Sequence, residues 1–462
     1  MSEQDSLVHI DIGKKEMIIE SIISASTNVN VDASVTPPPT SSTVKIQRVP
    51  QKVRETGDYE KEYVPKVVSI GPYHFGNPKL QVVEKLKPVC TMKLLRNSDS
   101  TLRSLYDKLG DPQMVLELKG FYEEHSTYMF CDEDFTKMML LDSCFILYCI
   151  VLTFFGAPQE LLELGDQIYY IKRDFFLLEN QIPFKVLREV TELVSMPAYT
   201  LWPFVYGTIF SSLRPPKILK WLRAVNVYTR YSRETWESYS SESPDHLLHL
   251  LHLIVTEKVK AHTAENLSWN IGEHDDNMCN FGTANELVDM GIQFKPSRDS
   301  RPRACVKFVK GCLELPPIKV DESTKAKWLN LIAFEKGSCA IYDSWVASYV
   351  CFLHSLIEQP EDVKVLRKAW VLGNFSGRSK DVVKLFDEIA TGLVPDNFAY
   401  LIVKNKIQVH YESWRNTLLS QLKHEYIKSP WSFLALVGAS LALFLTAVQT
   451  YFTVWSPGQK QM

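Results

Sequence analysis

The chain has 462 residues, 45% of them apolar and 23% charged, with a formal net charge of −3. Its 23 Phe, 20 Tyr and 10 Trp exclude a wholly disordered chain. Neither a basic excess nor a clustered basic stripe is present, which argues against nucleic acid as the main partner.

Residues 1–43 contain no aromatic side chain and end in a Pro- and Ser-rich run. Such a stretch buries too little apolar surface to offset its ordering entropy, so a disordered tail is expected. Lys14–Ser26, with Met17, Ile18, Ile19, Ile22 and Ile23, reads as a transient amphipathic helix. Val44–Pro88 follows as an extended, turn-rich lead-in, with a strand at Val67–Ile70 and a turn at Gly71–Gly76. His74 reads as a packed part of that turn, because its neighbours supply no partner carboxylate or nucleophile. Gln113–Tyr128 has helical character.

Met138–Phe155 is an apolar run whose one charge is Asp142. In a bilayer a mid-helix Asp costs roughly 2.5–3.5 kcal/mol, and the run is of marginal length. It is therefore read as the central core helix of a soluble domain, with Asp142 capping or paired. Arg173–Pro183 leads into a further helix with Pro183 in its first turn, and Phe184, Leu187, Val190 and Val194 share one face.

Residues 195–245 show no period and read as a long connection; an internal domain boundary, if there is one, falls within 195–282. Trp202, Trp221, Trp236 and Trp269 are of the type that dominates interface hot spots, which makes them candidate interface aromatics. Packing of the loops onto the core accounts for them equally well. His246, His249 and His252 stand three apart and smear around a helix rich in Leu, without a fourth ligand at matching spacing. A packed helix is preferred to a metal site. Thr263–Gly282 reads as a polar loop.

Thr283-Ala-Asn-Glu286 is a capping-box pattern, and Gly291 closes the short helix. Residues 304–315 alternate around Lys310-Gly311 and predict a β-hairpin ended by Pro316-Pro317. Helices are expected at Ser323–Glu335, at Asp381–Ala390 and from about Asn397 to Tyr426, the last running towards the C-terminal segment.

That segment, Trp431–Trp455, is the strongest single signal. No Asp, Glu, Lys or Arg occurs between Lys428 and Lys460. A helix of this length reaches roughly 37 Å, against a hydrocarbon core of about 30 Å. Trp431 and Trp455 mark the expected ends of the span, at headgroup level. Arg415, Lys423 and Lys428 on one side, against Lys460 on the other, place the large domain in the cytoplasm by the positive-inside tendency. The nine cysteines form no paired motif, as expected of buried thiols in a reducing compartment.

The expected organisation is a tail at 1–43, a mainly α domain at 44–426 with a small β component near 304–315, and a single transmembrane anchor at 427–456. A short tail occupies 457–462. No phosphate-binding glycine loop, zinc motif, nucleophile elbow or kinase signature occurs. No catalytic residue, cofactor or metal is assigned.

Several stretches resemble the plant domain-of-unknown-function 247 family. They are Tyr63-Val-Pro-Lys-Val-Val-Ser-Ile-Gly-Pro-Tyr-His74, Met138-Met-Leu-Leu-Asp-Ser-Cys-Phe-Ile-Leu147 and Arg173-Asp-Phe-Phe-Leu-Leu-Glu-Asn-Gln-Ile-Pro183. Leu313-Glu-Leu-Pro-Pro317, Asn330-Leu-Ile-Ala-Phe-Glu335 and Pro430-Trp431 extend the likeness. Phe75 stands where the family often has His, and Ser143 where it often has Gly. The resemblance implies a predominantly helical protein with a C-terminal membrane helix and no established catalytic residues. For some grass members it implies pollen-side self-recognition in self-incompatibility. Two function classes follow: a non-enzymatic recognition protein with the bilayer and an unidentified protein as partners, or an enzyme of unrecognised type acting on a lipid or small metabolite at the membrane.

Overall fold

A computed structural model describes residues 45–96, 98–155, 167–196, 201–210, 244–266, 282–297, 306–337, 344–373, 377–396, 399–412 and 430–454. The expected disordered tail lies outside these residues. Short helices come first: α1 (Gln51–Arg54), α2 (Tyr59–Glu62), α3 (Gln81–Glu84) and α4 (Lys87–Leu94). Then come α5 (Asp99–Leu109), α6 (Pro112–Lys119) and α7 (Glu124–Thr127). Asp111 caps α6 by accepting from the Gln113 and Met114 N–H groups, with Pro112 in the first turn, where no amide hydrogen is needed. The expected helix over Gln113–Tyr128 is thus two helices, separated around Gly120.

The central element is α8 (Asp132–Phe155). Asp132, Glu133 and Asp134 favour its N-terminal dipole, and beyond them Lys137 and Asp142 are the charges in an otherwise largely apolar helix. Phe135, Met139, Cys144, Phe145, Leu147 and Ile150 are fully buried, each large one contributing roughly 1.5–3 kcal/mol. Around it pack α4, α5, α6, α10 (Phe184–Leu193) and α11 (Leu201–Ile209). Pro183 is the N-cap of α10, one residue before its first turn.

α9 (Gln167–Asp174) precedes α10, and α12 (Leu247–Asn266) follows α11. The loop expected from Thr263 is therefore helical to Asn266. α13 (Ala284–Asp289) carries the expected capping box, Thr283 with Glu286, and Gly291 turns the chain at φ 84°. The hairpin is present as β2 (Lys307–Val309) and β3 (Cys312–Leu315), antiparallel. Not foreseen were β1 (Gln293–Pro296), which pairs parallel to β3, and the parallel pair β4 (Ile318–Lys319) with β5 (Leu372–Gly373). Each is too short to show a period of its own. α14 (Thr324–Gly337) and α17 (Ser379–Ala390) match their expected positions, whereas α15 (Trp345–Leu356) and α16 (Pro360–Lys368) were not anticipated. α18 (Leu401–Glu412) covers part of the expected 397–426 helix, and 413–429 lie outside the described residues.

Three corrections bear on function. Val67–Ile70 belongs to no sheet, and the chain bends at Lys66 and Val67. Trp202 is completely buried in α11, within the stretch read as irregular, so it is a core residue and not an interface aromatic. Trp221, Trp236 and Trp269 lie outside the described residues. Third, among the described residues the helix long and apolar enough to cross a membrane is Asp132–Thr153, which is mostly buried, and the C-terminal run Val437–Thr453 counts only as a shorter apolar helix. The full C-terminal element, α19, spans Pro430–Val454.

Candidate functional site

The stretch 66–71 lies in no sheet and carries backbone groups that a strand would pair with a neighbour. Here side chains take that place. Asp174, at the end of α9, accepts from the N–H groups of Lys66, Val67 and Val68 through one carboxylate oxygen, at 3.0, 2.8 and 3.2 Å. Its other oxygen takes Arg173 Nη1 at 2.8 Å, and Arg173 also donates to the carbonyls of Val64 and Lys61. Asn180 accepts from Ile70 N–H at 2.8 Å and donates to Val68 O at 3.1 Å. The next amide, Gly71 N–H, donates to Asp142 Oδ2 of α8 at 2.8 Å. Gly71 has φ 74°, and a Cβ there would collide with Gln181 O.

Asp142 Oδ1 is paired with Lys87 Nζ of α4 at 2.5 Å, both side chains being 2% exposed. Lys87 also donates to Glu84 Oε1 and to Ser69 O, so all three ammonium hydrogens are used. Burial raises the Asp142 carboxyl above its ordinary range, and Lys87 opposes that shift. Other residues of Phe175–Gln181 carry the network on to α12 and α14. Gln181 donates to Phe175 O and Leu177 O and accepts from Leu248 N–H of α12. Asn330 of α14 accepts from Leu178 N–H and donates to Glu62 O.

The frame fixes the turn Gly71–Gly76. Glu179 accepts from Val49 N–H at 2.8 Å and Arg54 Nη2 at 2.6 Å, and its second oxygen lies 3.6 Å from His74 Nε2. The carboxylate missing from the neighbourhood of His74 in sequence therefore arrives from 105 residues away. Burial lowers the affinity of His74 for a proton, despite the pull of Glu179. Beyond His74, Phe75 is half exposed and rests edge-on against Phe130, ring centroids 5.4 Å apart. Tyr128 and Met129, immediately before Phe130, are 67% and 80% exposed. A buried polar frame thus holds an aromatic and sulfur-bearing surface of the kind enriched in interface hot spots.

A family model described as plant protein of unknown function, the domain-of-unknown-function 247 family, matches residues 46–445. The chain belongs to this family. A family relative, UPF0481 protein At3g47200 of Arabidopsis thaliana, is 27% identical over 411 residues, which is 86% of this chain and 83% of the relative. A putative UPF0481 protein, At3g02645 of the same plant, is 32% identical over 153 residues, covering 32% of this chain and 27% of its own. No solved structure matches. The frame joins three of the stretches that carried the resemblance to the family: 63–74, 138–147 and 173–183.

His246, just before α12, and His249 and His252 within it gather around Phe334 of α14, with ring centroids 5.1 to 5.3 Å away. His252 Nε2 lies 3.4 Å from Glu335 Oε1, and His249 Nδ1 lies 3.2 Å from Asp245 Oδ2. His246 is buried, and burial with the nearby His249 pushes it down to about 3. Among the described residues no group of His, Cys, Asp or Glu could hold a metal ion. Trp431 belongs to α19, while Trp455, Arg415, Lys423 and Lys428 lie outside the described residues. Sequence reasoning missed Lys87, Glu179, Tyr128 and Met129. Only the lone charge of Asp142 gave a signal, by requiring some partner.

Proposed function

We propose that the protein is a membrane-anchored recognition protein: α19 crosses a bilayer, and the surface at Phe75, Tyr128 and Met129 binds a protein partner. The observation that carries the reading is the exposure of α19. Leu434, Val437, Leu441, Phe444, Leu445 and Phe452 are exposed along one arc with Leu443 exposed opposite, and the other described side chains from Ala435 to Thr453 are exposed too, apart from the half-buried Val448, so the helix is uncovered all round. α8, also long and largely apolar, buries the same kind of side chain. An apolar helix turned outward on every side is stable in hydrocarbon, not in water. The hydroxyls of Thr446, Thr450 and Thr453 each donate to the carbonyl four residues earlier, at 2.7 to 2.8 Å, which satisfies them without water. The basic residues Arg415, Lys423 and Lys428 support a cytoplasmic large domain.

Ending the chain after Lys428 tests the reading. The full chain is expected to stay in membranes after alkaline carbonate extraction, and the shortened chain to move to the soluble fraction. A shortened chain that still resists carbonate would place the lipid contact elsewhere and reject α19 as the anchor.

A further inference from the structure

The C-terminal end of α16 carries a second surface, which we infer docks on anionic lipid headgroups: Trp370 with the basic side chains of Lys364, Arg367 and Lys368. The inference rests on α19 being a membrane anchor. Trp370 N–H donates to Arg367 O at 3.0 Å and Val371 N–H to Leu366 O at 2.9 Å, while Leu366 and Val371 are fully buried. In this form of helix ending the residue at the place of Trp370 takes a left-handed backbone, and glycine is its usual occupant. Trp370 has φ 61°. A bulky residue is strained there, and burial offsets little of the strain, because Trp370 is 63% exposed. Strain that packing does not relieve points to a role at the surface.

Lys364, Arg367 and Lys368 are exposed and stand three and four residues apart, on one face of α16. The negative end of the helix dipole accounts for basic residues in the last turn, but not for an exposed indole beside them. Of the acidic residues in α16, Asp362 is buried and accepts from the Asn285, Glu358 and Gln359 N–H groups. Glu361 pairs with Lys364 at 3.1 Å, both well exposed, and such a pair contributes little. An indole among Lys and Arg is the combination that settles at the headgroup level of a bilayer, the ring in the interface and the cations on anionic lipid. The domain is tethered to that surface. α18 ends at Glu412 and α19 begins at Pro430, and residues 413–429 reach at most about 60 Å when fully extended. A domain of this size has a radius of gyration of roughly 20 Å, so the tether keeps α16 within reach of the headgroups.

The test places a photo-crosslinking aromatic residue at position 370 of the full chain, reconstituted in vesicles of phosphatidylcholine alone or mixed with phosphatidylserine. The same residue at position 444 reports on the anchor, and at Leu116, exposed on α6, on random contact. Lipid adducts at position 370 are expected to rise at least about fivefold with phosphatidylserine. They should fall to the level of position 116 at high salt, and in the double variant Arg367→Gln with Lys368→Gln. In detergent, Trp370→Gly is expected to melt at or above the parent temperature, because glycine relieves the strained backbone. Lipid adducts at 444 but not at 370 would reject the docking surface and leave the anchor standing; adducts at neither position would reject both. The surface is also rejected by equal yields at 370 with and without phosphatidylserine, or by adducts to a second copy of the chain in place of lipid. A Trp370→Gly chain that melts well below the parent would reject it as well, by making Trp370 a structural partner.

Discussion

Lys87 Nζ and Asp142 Oδ1 meet at 2.5 Å with both side chains almost wholly shielded from water, joining α4 to the helix at the centre of the core. Removing one partner leaves an uncompensated buried charge. Lys87→Met is expected to destabilise the full chain by about 3–5 kcal/mol, and Lys87→Met with Asp142→Leu to recover most of the loss. The sign with pH is definite. Lys87 holds the Asp142 carboxyl down against burial, so its removal raises that carboxyl further. A group protonated more readily in the folded chain than in the unfolded one loses stability as pH rises. The deficit of Lys87→Met therefore grows upward from about pH 4 and shrinks below it, as denaturation across pH would record.

Asp174 replaces a neighbouring strand for three amides. Asp174→Ala frees the N–H groups of Lys66, Val67 and Val68, at about 1–3 kcal/mol for each left unsatisfied. Asp174→Asn keeps an acceptor and is expected to cost less. Hydrogen exchange at those amides should accelerate strongly in the alanine variant. Unchanged protection would mean that the stretch is held by something other than this carboxylate.

The histidines at 74 and 246 make the fold sensitive to acid. Both bind a proton less readily than in the unfolded chain, where the ordinary value is near 6.5. The unfolded state then gains protons first, and stability is lost as pH falls through that range. For His246 the loss continues to about pH 3, at roughly 1.4 kcal/mol per pH unit. His246→Asn, whose side chain can still accept from His249 N–H, is expected to flatten the acid limb. An unaltered limb would contradict the assignment.

These relationships also show where sequence reading stops. The need of Asp142 for a partner is visible in an otherwise apolar run, but nothing local selects Lys87, which lies 55 residues earlier. Val67–Ile70 has the composition of a strand, and its hydrogen bonds go to side chains more than a hundred residues away. Trp202 was misplaced for a different reason. In α11 the side chains of Leu201, Trp202, Phe204, Val205, Tyr206, Thr208 and Ile209 are all buried, and a helix without a polar face shows no period. Elements with one wet face, such as α13 and α17, were legible. For Tyr128 and Met129 only exposure, a tertiary property, singles them out.

The proposed recognition surface at Phe75, Tyr128 and Met129 can be tested on its own. Tyr128→Ser with Met129→Ser should leave the melting temperature close to that of the parent, because both side chains are exposed. Proximity labelling in plant tissue should lose the proteins enriched by the parent chain. An unchanged labelled set would remove this surface from the account.

Orientation is separable from anchoring. Protease added to sealed vesicles bearing the full chain on their cytoplasmic face is expected to digest the large domain and leave a fragment containing α19. Glycan at either acceptor sequence, Asn266-Leu-Ser268 or Asn374-Phe-Ser376, would reverse the orientation, because the modifying machinery is lumenal.

The central claim is that α19 faces lipid while α8, also long and largely apolar, faces protein. A photo-crosslinking residue placed at Phe444 in the full chain reports this directly, with Leu116, exposed on α6, as the control. Irradiation in native membranes should join position 444 to phospholipid and leave position 116 without lipid. Adducts from position 444 to protein alone, or lipid adducts of equal yield from both positions, would contradict the account.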